Sequence, residues 1–156
     1  MRYRFLVCLS VFVLAASAGM ASAAEKIGVV GALTGSATAT MNDGKARTLA
    51  VGDAIHREDM LSTGSGSKMQ VMLDDQSTIT LNPNSKLKVS EFAFDAEAND
   101  GSIKMDALKG AFRFIGGAVS KNREAKIKTP VSSIGIRGSI GDTFIGANGQ
   151  TQAVFA

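Results

Sequence analysis

Apolar and polar side chains alternate along most of the chain with a period of two residues. Between Lys68 and Leu73, the apolar residues Met69, Val71 and Leu73 alternate with Lys68, Gln70 and Met72. The same pattern recurs at five further places, around Ile79, Leu87, Ile103, Phe112 and Ile127. Because successive side chains of a strand point to opposite faces, this period predicts short β-strands with one buried face. Polar partners on the other face are typical of antiparallel sheets with one side in water.

Clusters rich in Gly, Asn, Asp and Ser separate the predicted strands at intervals of roughly 10 to 20 residues. They lie at residues 42–44, 63–67, 74–77, 82–85 and 99–101. The segment 92–99 has weaker strand propensity and could form a local helix or a loop, and we favour a widened hairpin. The pattern predicts an all-β fold: a single compact domain of short strands, built as a β-sandwich or a short β-solenoid-like roll.

The N-terminus has the order of regions found in a cleavable export signal. Arg2 and Arg4 precede the apolar run 5–14, and small residues follow up to Ala23. The apolar run is shorter than the roughly 20 residues that a membrane-spanning helix needs. We predict a Sec-type signal peptide over residues 1–24, cleaved after Ala23 or Ala24.

Cleavage would leave one all-β domain over residues 25–156, with no integral membrane segment and a periplasmic or secreted location. The single cysteine, Cys8, would leave with the signal. Fifteen Lys and Arg would then face fourteen Asp and Glu, so the net charge would fall from +3 to +1. A nearly neutral domain gives little basis for nucleic-acid binding, and we interpret the basic residues between 121 and 128 as a solvated strand face.

Candidate catalytic chemistry is sparse. His56 is the only histidine, whereas zinc sites use three or four ligands. We interpret it as a solvated loop residue, and the neighbouring Asp53, Glu58 and Asp59 as surface charge. Asp74 and Asp75 lack the spacing of a calcium loop and are interpreted as a tight turn. We therefore predict no catalytic residue, no metal and no cofactor, and a protein that is not an enzyme.

The segment 128–139 stands out because Gly135 and Gly138 bracket an arginine. Glycines in a strand indicate a bend, a bulge or the close approach of another element. We interpret Arg137 as a structural brace, with a buried or semi-buried guanidinium on carbonyl groups or on a carboxylate such as Asp53 or Asp142. The alternative is a ligand anchor.

Five blocks in order, between Gly28 and Ile145, resemble the motifs of a FecR-type periplasmic domain. The first is Gly28-Val29-Val30-Gly31, and the second joins "V-G-D" to "T-G-S-G-S". The other three are "L-D-D-Q-S-T-I-T-L-N-P-N-S", "L-K-G" and "T-P-V-S-S-I-G-I-R-G-S". The residues that carry these motifs are Gly52, Asp53, Thr63, Gly64, Pro83, Ser85, Gly110, Thr129, Pro130, Gly135, Arg137 and Gly138.

The resemblance implies an exported, β-rich domain for sensing or protein interaction in the cell envelope, without catalysis. Its partners would be envelope proteins of unknown identity, with a homo-oligomer as a further option. FecR regulators relay the state of an outer-membrane receptor to a cytoplasmic sigma factor. We see no cytoplasmic segment before a membrane span in this chain, so we do not expect it to transmit such a signal by itself.

The alternative function is a self-assembling surface or adhesin-type structural component. It rests on strands that could pair between copies, at residues 78–81 and 144–155.

Overall fold

The computed structural model describes residues 24–138 and 140–156. The predicted signal peptide, including Ala23, lies outside the described residues except for Ala24, and it stays a prediction. The described residues form thirteen strands and one short helix. The strands are β1 (Lys26–Thr34), β2 (Ala37–Thr40), β3 (Ala46–Thr48), β4 (Ala54–His56), β5 (Met60–Thr63), β6 (Lys68–Leu73), β7 (Thr78–Leu81), β8 (Lys86–Asp95), β9 (Asp100–Ile115), β10 (Ala125–Lys128), β11 (Ser133–Ile136), β12 (Ile140–Ile145) and β13 (Thr151–Phe155), and the helix is α1 (Ala118–Asn122).

The prediction of an all-β fold from two-residue alternation is confirmed. In β6 every second residue, from Met69 to Leu73, is buried, and the residues between them are exposed. Burial also alternates from residue to residue in β7 and β10, which place Ile79 and Ile127 in the core. Burial of one face supplies the hydrophobic driving force, and the other face satisfies its polar groups in water.

The strands form one sheet that curls into two layers. The first layer has the order β4-β1-β6-β7-β9-β12-β13, and the second has the order β3-β2-β5-β8-β9-β10-β11. All the pairings are antiparallel except that of β10 with β9. The buried side chains of both layers meet in one apolar core, so the sandwich-like alternative describes the architecture better than a stack of repeats.

β9 belongs to both layers and changes partners at Gly110. Its first part, up to Lys109, pairs with β8, and its second part pairs with β7 and β12. Gly110 has φ +99°, a conformation that favours glycine. The bend at this residue carries one long strand from one layer into the other.

The segment 92–99 forms a hairpin, as favoured from the sequence, but β8 extends further than expected. β8 runs to Asp95, which is in register with Asp100 of β9. The Asp95 Oδ1 accepts hydrogen bonds from the backbone N–H groups of Glu97 and Ala98, which closes the turn. Asn99 has φ +50°, a conformation that Asn tolerates better than most residues.

The start of β9 carries a two-point ion pair whose effect on stability depends on pH. The Arg123 Nε and Nη2 donate to the two Asp100 carboxylate oxygens, each over 2.9 Å. The guanidinium hydrogen bonds, with that of the Gly101 N–H, lower the pKa of Asp100 from 3.8 to about 2. The pKa of Asp100 is lower in the folded than in the unfolded state. The ion pair therefore stabilises the fold fully at a pH above the unfolded-state pKa, and this stabilisation is lost as the pH falls through the folded-state pKa.

We therefore expect the Asp100→Asn variant to have a lower urea midpoint than the wild type at neutral pH. The difference should stay constant down to about pH 5 and shrink between about pH 4 and 2. Arg123→Gln should reproduce this profile, because it removes the other half of the pair. A difference that persists unchanged to pH 2 would contradict the assignment.

Candidate functional site

Several motif residues meet where β9 changes layers. The Thr63 Oγ1 donates to the Asn82 carbonyl over 2.7 Å and accepts from the Ser85 N–H over 3.0 Å. The buried Ser85 Oγ donates to the Ala111 carbonyl over 3.2 Å and accepts from the Ala111 N–H over 3.1 Å. These hydroxyl groups satisfy the backbone at a point where the regular ladder is interrupted.

Three further motif residues shape the same corner, which we call the Thr63–Ser85 corner. A Cβ at Gly110 would lie 2.2 Å from the Ser85 Oγ, and a Cβ at Gly64 would lie 2.7 Å from the Ser36 Oγ. Pro83 lies in the exposed turn before Asn84, whose φ is +55°. Gly110 and Gly64 therefore allow a neighbouring serine to approach the backbone closely, and Pro83 forms part of a turn.

Gly52 and Asp53 are placed apart from this corner, in the turn between β3 and β4. The Gly52 N–H donates to the Val30 carbonyl over 2.8 Å, and the Val30 N–H donates to the Asp53 carbonyl over 2.9 Å. The Asp53 carboxylate accepts from the Ala50 N–H over 2.8 Å. This turn is thus fastened to β1.

The motif residues after β9 lie in the second layer and its connections. The Thr129 Oγ1 accepts from the Ser132 N–H over 3.0 Å, while Pro130 is exposed in the same turn. A Cβ at Gly135 would overlap the Glu124 carboxylate. The Gly138 N–H donates to the Ser120 carbonyl over 3.0 Å, which joins the end of β11 to α1.

The expectation of a buried or semi-buried Arg137 is wrong. Arg137 is exposed, and the Asp142 carboxylate accepts two hydrogen bonds from Arg113, over 2.7 Å and 2.8 Å. β12 pairs with β9 in a register that puts Asp142 directly opposite Arg113. The sequence alternation places Arg113 on the outer face, but it does not show which carboxylate lies opposite.

His56 is also placed differently from the expectation of a solvated loop. It lies in β4 and is half-buried, with its Nδ1 3.3 Å from the Arg47 Nη2. Asp59, expected on the surface, is only 2 % exposed, and it accepts from the Arg47 Nη2 over 2.5 Å and from the His56 N–H over 3.0 Å. A buried carboxylate needs such charged and hydrogen-bonding partners.

A second buried carboxylate, Asp75, holds α1 in place, whereas the sequence indicated only a turn at this residue. The Asp75 Oδ1 accepts from the Ser77 N–H over 2.9 Å, and its Oδ2 accepts from the Ser77 Oγ over 2.7 Å. The Oδ2 also accepts from the Val119 N–H at the start of α1, over 3.2 Å. Asp followed two residues later by Ser is typical of self-bonded turns, but the contact with α1 has no local signal.

The outer face of the first layer carries an open groove of about 580 Å³ that no sequence pattern indicated. It crosses six strands, namely β1, β6, β7, β9, β12 and β13. One row of side chains across it is Gln70, Thr80, Arg113, Asp142 and Val154, which are neighbours in register.

The groove combines charge with exposed apolar surface. The guanidinium of Arg113 holds the pKa of Asp142 below its usual range, and the pKa of Arg113 is raised in turn. Lys68 adds a cation to the lining, and Phe144 also lines the groove, with 52 % of its surface exposed. Such a mixture suits contact with another macromolecule better than enclosure of a small apolar molecule.

The described residues contain neither a group of potential metal ligands nor a membrane-spanning helix. Across 24–138 and 140–156, no three His, Cys, Asp or Glu side chains are grouped to hold a metal ion. No helix in this part of the chain is long and apolar enough to cross a membrane.

Taken together, the described chain is a two-layered all-β domain with a hydrogen-bonded motif corner and an open groove. The family model described as FecR protein matches residues 59–155, which include both the corner and most of the groove. The chain belongs to the FecR family, whose members are regulatory sensors in signalling. Searches of curated proteins and of solved structures found no match.

Proposed function

We propose that this protein is an exported, non-enzymatic FecR-domain module that acts in sensing by binding a protein partner in the periplasm or cell envelope. The family membership supports the sensing role. The signal-like residues 1–24 support export. The contact surface is the groove on the outer face of the first layer.

The observation that carries this proposal is a contrast between side chains that are bonded inside the fold and side chains that line the groove. The hydroxyl groups of Thr63 and Ser85 donate hydrogen bonds to backbone carbonyls inside the fold. Lys68, Gln70 and Phe144, in contrast, line the groove and face outwards. A partner therefore meets the groove, which contains the exposed aromatic ring of Phe144 and the guanidinium of Arg113, two residue types that are enriched in protein interfaces.

The surroundings of His56 support a role without catalysis. Its ring nitrogen faces the Arg47 guanidinium, and the neighbouring Asp59 carboxylate is buried and bonded to the same arginine. A general base must reach the proton of a bound substrate, and neither His56 nor Asp59 lines the groove.

The test replaces one exposed apolar residue in the groove and one outside it. Phe144→Ser removes the aromatic group from the groove, and Val51→Ser is the control, since Val51 is 61 % exposed in the turn between β3 and β4. After cross-linking in envelope extracts, we expect Phe144→Ser to recover about tenfold less of the partner than the wild type. Val51→Ser should recover as much as the wild type.

Circular dichroism spectra of both variants should match that of the wild type. Equal losses in the two variants would contradict the groove assignment. If no protein were recovered reproducibly above a variant with a scrambled surface, the binding function itself would be refuted.

A further inference from the structure

β13 is an edge strand without the usual protection against pairing. Its sequence, Thr-Gln-Ala-Val-Phe, contains no charge and no proline, and within the described residues it pairs only with β12. Four of its five residues are exposed. Natural edge strands usually carry charges, prolines or bulges that prevent pairing with another chain.

The hydrogen-bond phase of β13 shows which backbone groups face outwards. The Gly146 N–H donates to the Gln150 carbonyl, and the Ala156 N–H donates to the Ile140 carbonyl. The register between these two pairs has no bulge. Since bonded and non-bonded pairs alternate in an antiparallel ladder, the N–H and C=O groups of residues 151, 153 and 155 point away from β12.

We propose that β13 pairs with β13 of a second copy, antiparallel and around a twofold axis at Ala153. This register places Thr151 opposite Phe155 of the second copy and Ala153 opposite its own counterpart. It brings together all three residues whose backbone groups point outwards, and each bonded pair exchanges two hydrogen bonds. A pairing that uses the same strand on both sides closes as a dimer.

The side chains beside β13 fit the same arrangement. Val131 is 64 % exposed, and it lies near the start of β13, where a Cβ at Gly149 would be 3.7 Å from the Val131 Cγ1. The Thr151 Oγ1 donates to the Thr129 Oγ1 over 3.0 Å, which holds that turn against β13. Phe155, 55 % exposed, lies at the other end of the strand.

Because the proposed register is antiparallel, it brings Phe155 of each copy to the Thr151 end of the other, next to Val131. The twofold axis repeats this contact, so four exposed apolar side chains are covered by two equivalent contacts. The burial of apolar surface adds to the backbone bonds, which alone contribute little net free energy. A second copy therefore matches both the backbone phase and the apolar ends of this edge.

Sedimentation velocity over a concentration series tests the pairing. Ala153→Pro removes an N–H that points away from β12, so it should weaken association by about tenfold or more and leave the melting temperature of the monomer unchanged. Ala153→Ser keeps the N–H and should associate like the wild type. A wild-type chain that stays monomeric at its solubility limit would overturn the proposal, and so would equal association of the two variants.

Disulfide trapping tests the register even if the proline variant fails to fold. In a Cys8→Ser background, Ala153→Cys should form a linked dimer on oxidation, because opposed Cα atoms of a bonded pair are about 5.5 Å apart. Val154→Cys is the matched control: it lies opposite Gln152 of the second copy, and its own counterpart is a diagonal neighbour at roughly 7–8 Å. Preferential linking at residue 153 supports the proposed register, and equal or absent linking overturns it.

Discussion

Replacing Asp75 with alanine is expected to lower the free energy of unfolding by about 4 kcal/mol. The Asp75 side chain is fully buried, and its carboxylate accepts from the Ser77 N–H, the Ser77 Oγ and the Val119 N–H. Alanine would leave these donors buried without a partner, at about 1–3 kcal/mol for each one that water cannot reach. Urea unfolding followed by circular dichroism measures the loss.

The neighbouring Asp74 provides the matched control, because it is exposed in the same turn. Asp74→Ala should change the free energy of unfolding by no more than about 0.5 kcal/mol. The Asp75→Ala variant should also expose the connection around α1 to proteases, since the bond to Val119 fastens the start of this helix. Similar losses in the two variants would show that the buried carboxylate is not the anchor of this region.

Replacing Gly110 with alanine is expected to lower the free energy of unfolding by about 3–4 kcal/mol. The added Cβ would lie 2.2 Å from the Ser85 Oγ and 2.6 Å from the Ser85 Cα, so a backbone atom would have to move. The residue also has φ +99°, which costs a non-glycine residue about 1–3 kcal/mol. Thermal and urea unfolding measure the change, which we expect to be large because β9 joins the two layers here.

Gly44→Ala separates the two contributions. Gly44 also has a positive φ, +83°, but a Cβ there would meet nothing within 4 Å. In Gly44→Ala the free energy of unfolding should therefore fall only by the cost of a positive φ for alanine, about 1 kcal/mol. If Gly44→Ala were as destabilising as Gly110→Ala, the close approach to Ser85 would not explain the requirement for glycine.

The strands and their buried faces could be predicted because they depend on local geometry. Met69, Val71 and Leu73 are buried as the alternation indicated, and the turn at residues 82–85 lies where Asn and Pro occur. The short helix α1 was not predicted. It has five residues, too few to show a helical period, and its position depends on Asp75, which is far away in the sequence.

The candidate site was only partly predictable. The motif residues of the Thr63–Ser85 corner were identified from their order in the sequence, and in the structure the hydroxyl groups of Thr63 and Ser85 bond to backbone atoms of other segments. The groove was missed because it forms across six strands that are not consecutive in the sequence. The wrong partner assigned to Asp142 has the same origin, since alternation fixes the face of a residue and leaves its neighbour across the sheet open.

The sequence by itself determined that the domain is all-β, where most strands lie and which of their faces is buried. These properties follow from the two-residue period, which is a local consequence of chain geometry. Only the tertiary structure decided the order of the strands, and with it the meeting of Arg113 with Asp142, of Asp75 with Val119 and of Ser85 with Ala111. The partners in these pairs are 29, 44 and 26 residues apart, so their contact depends on the packing of the whole core.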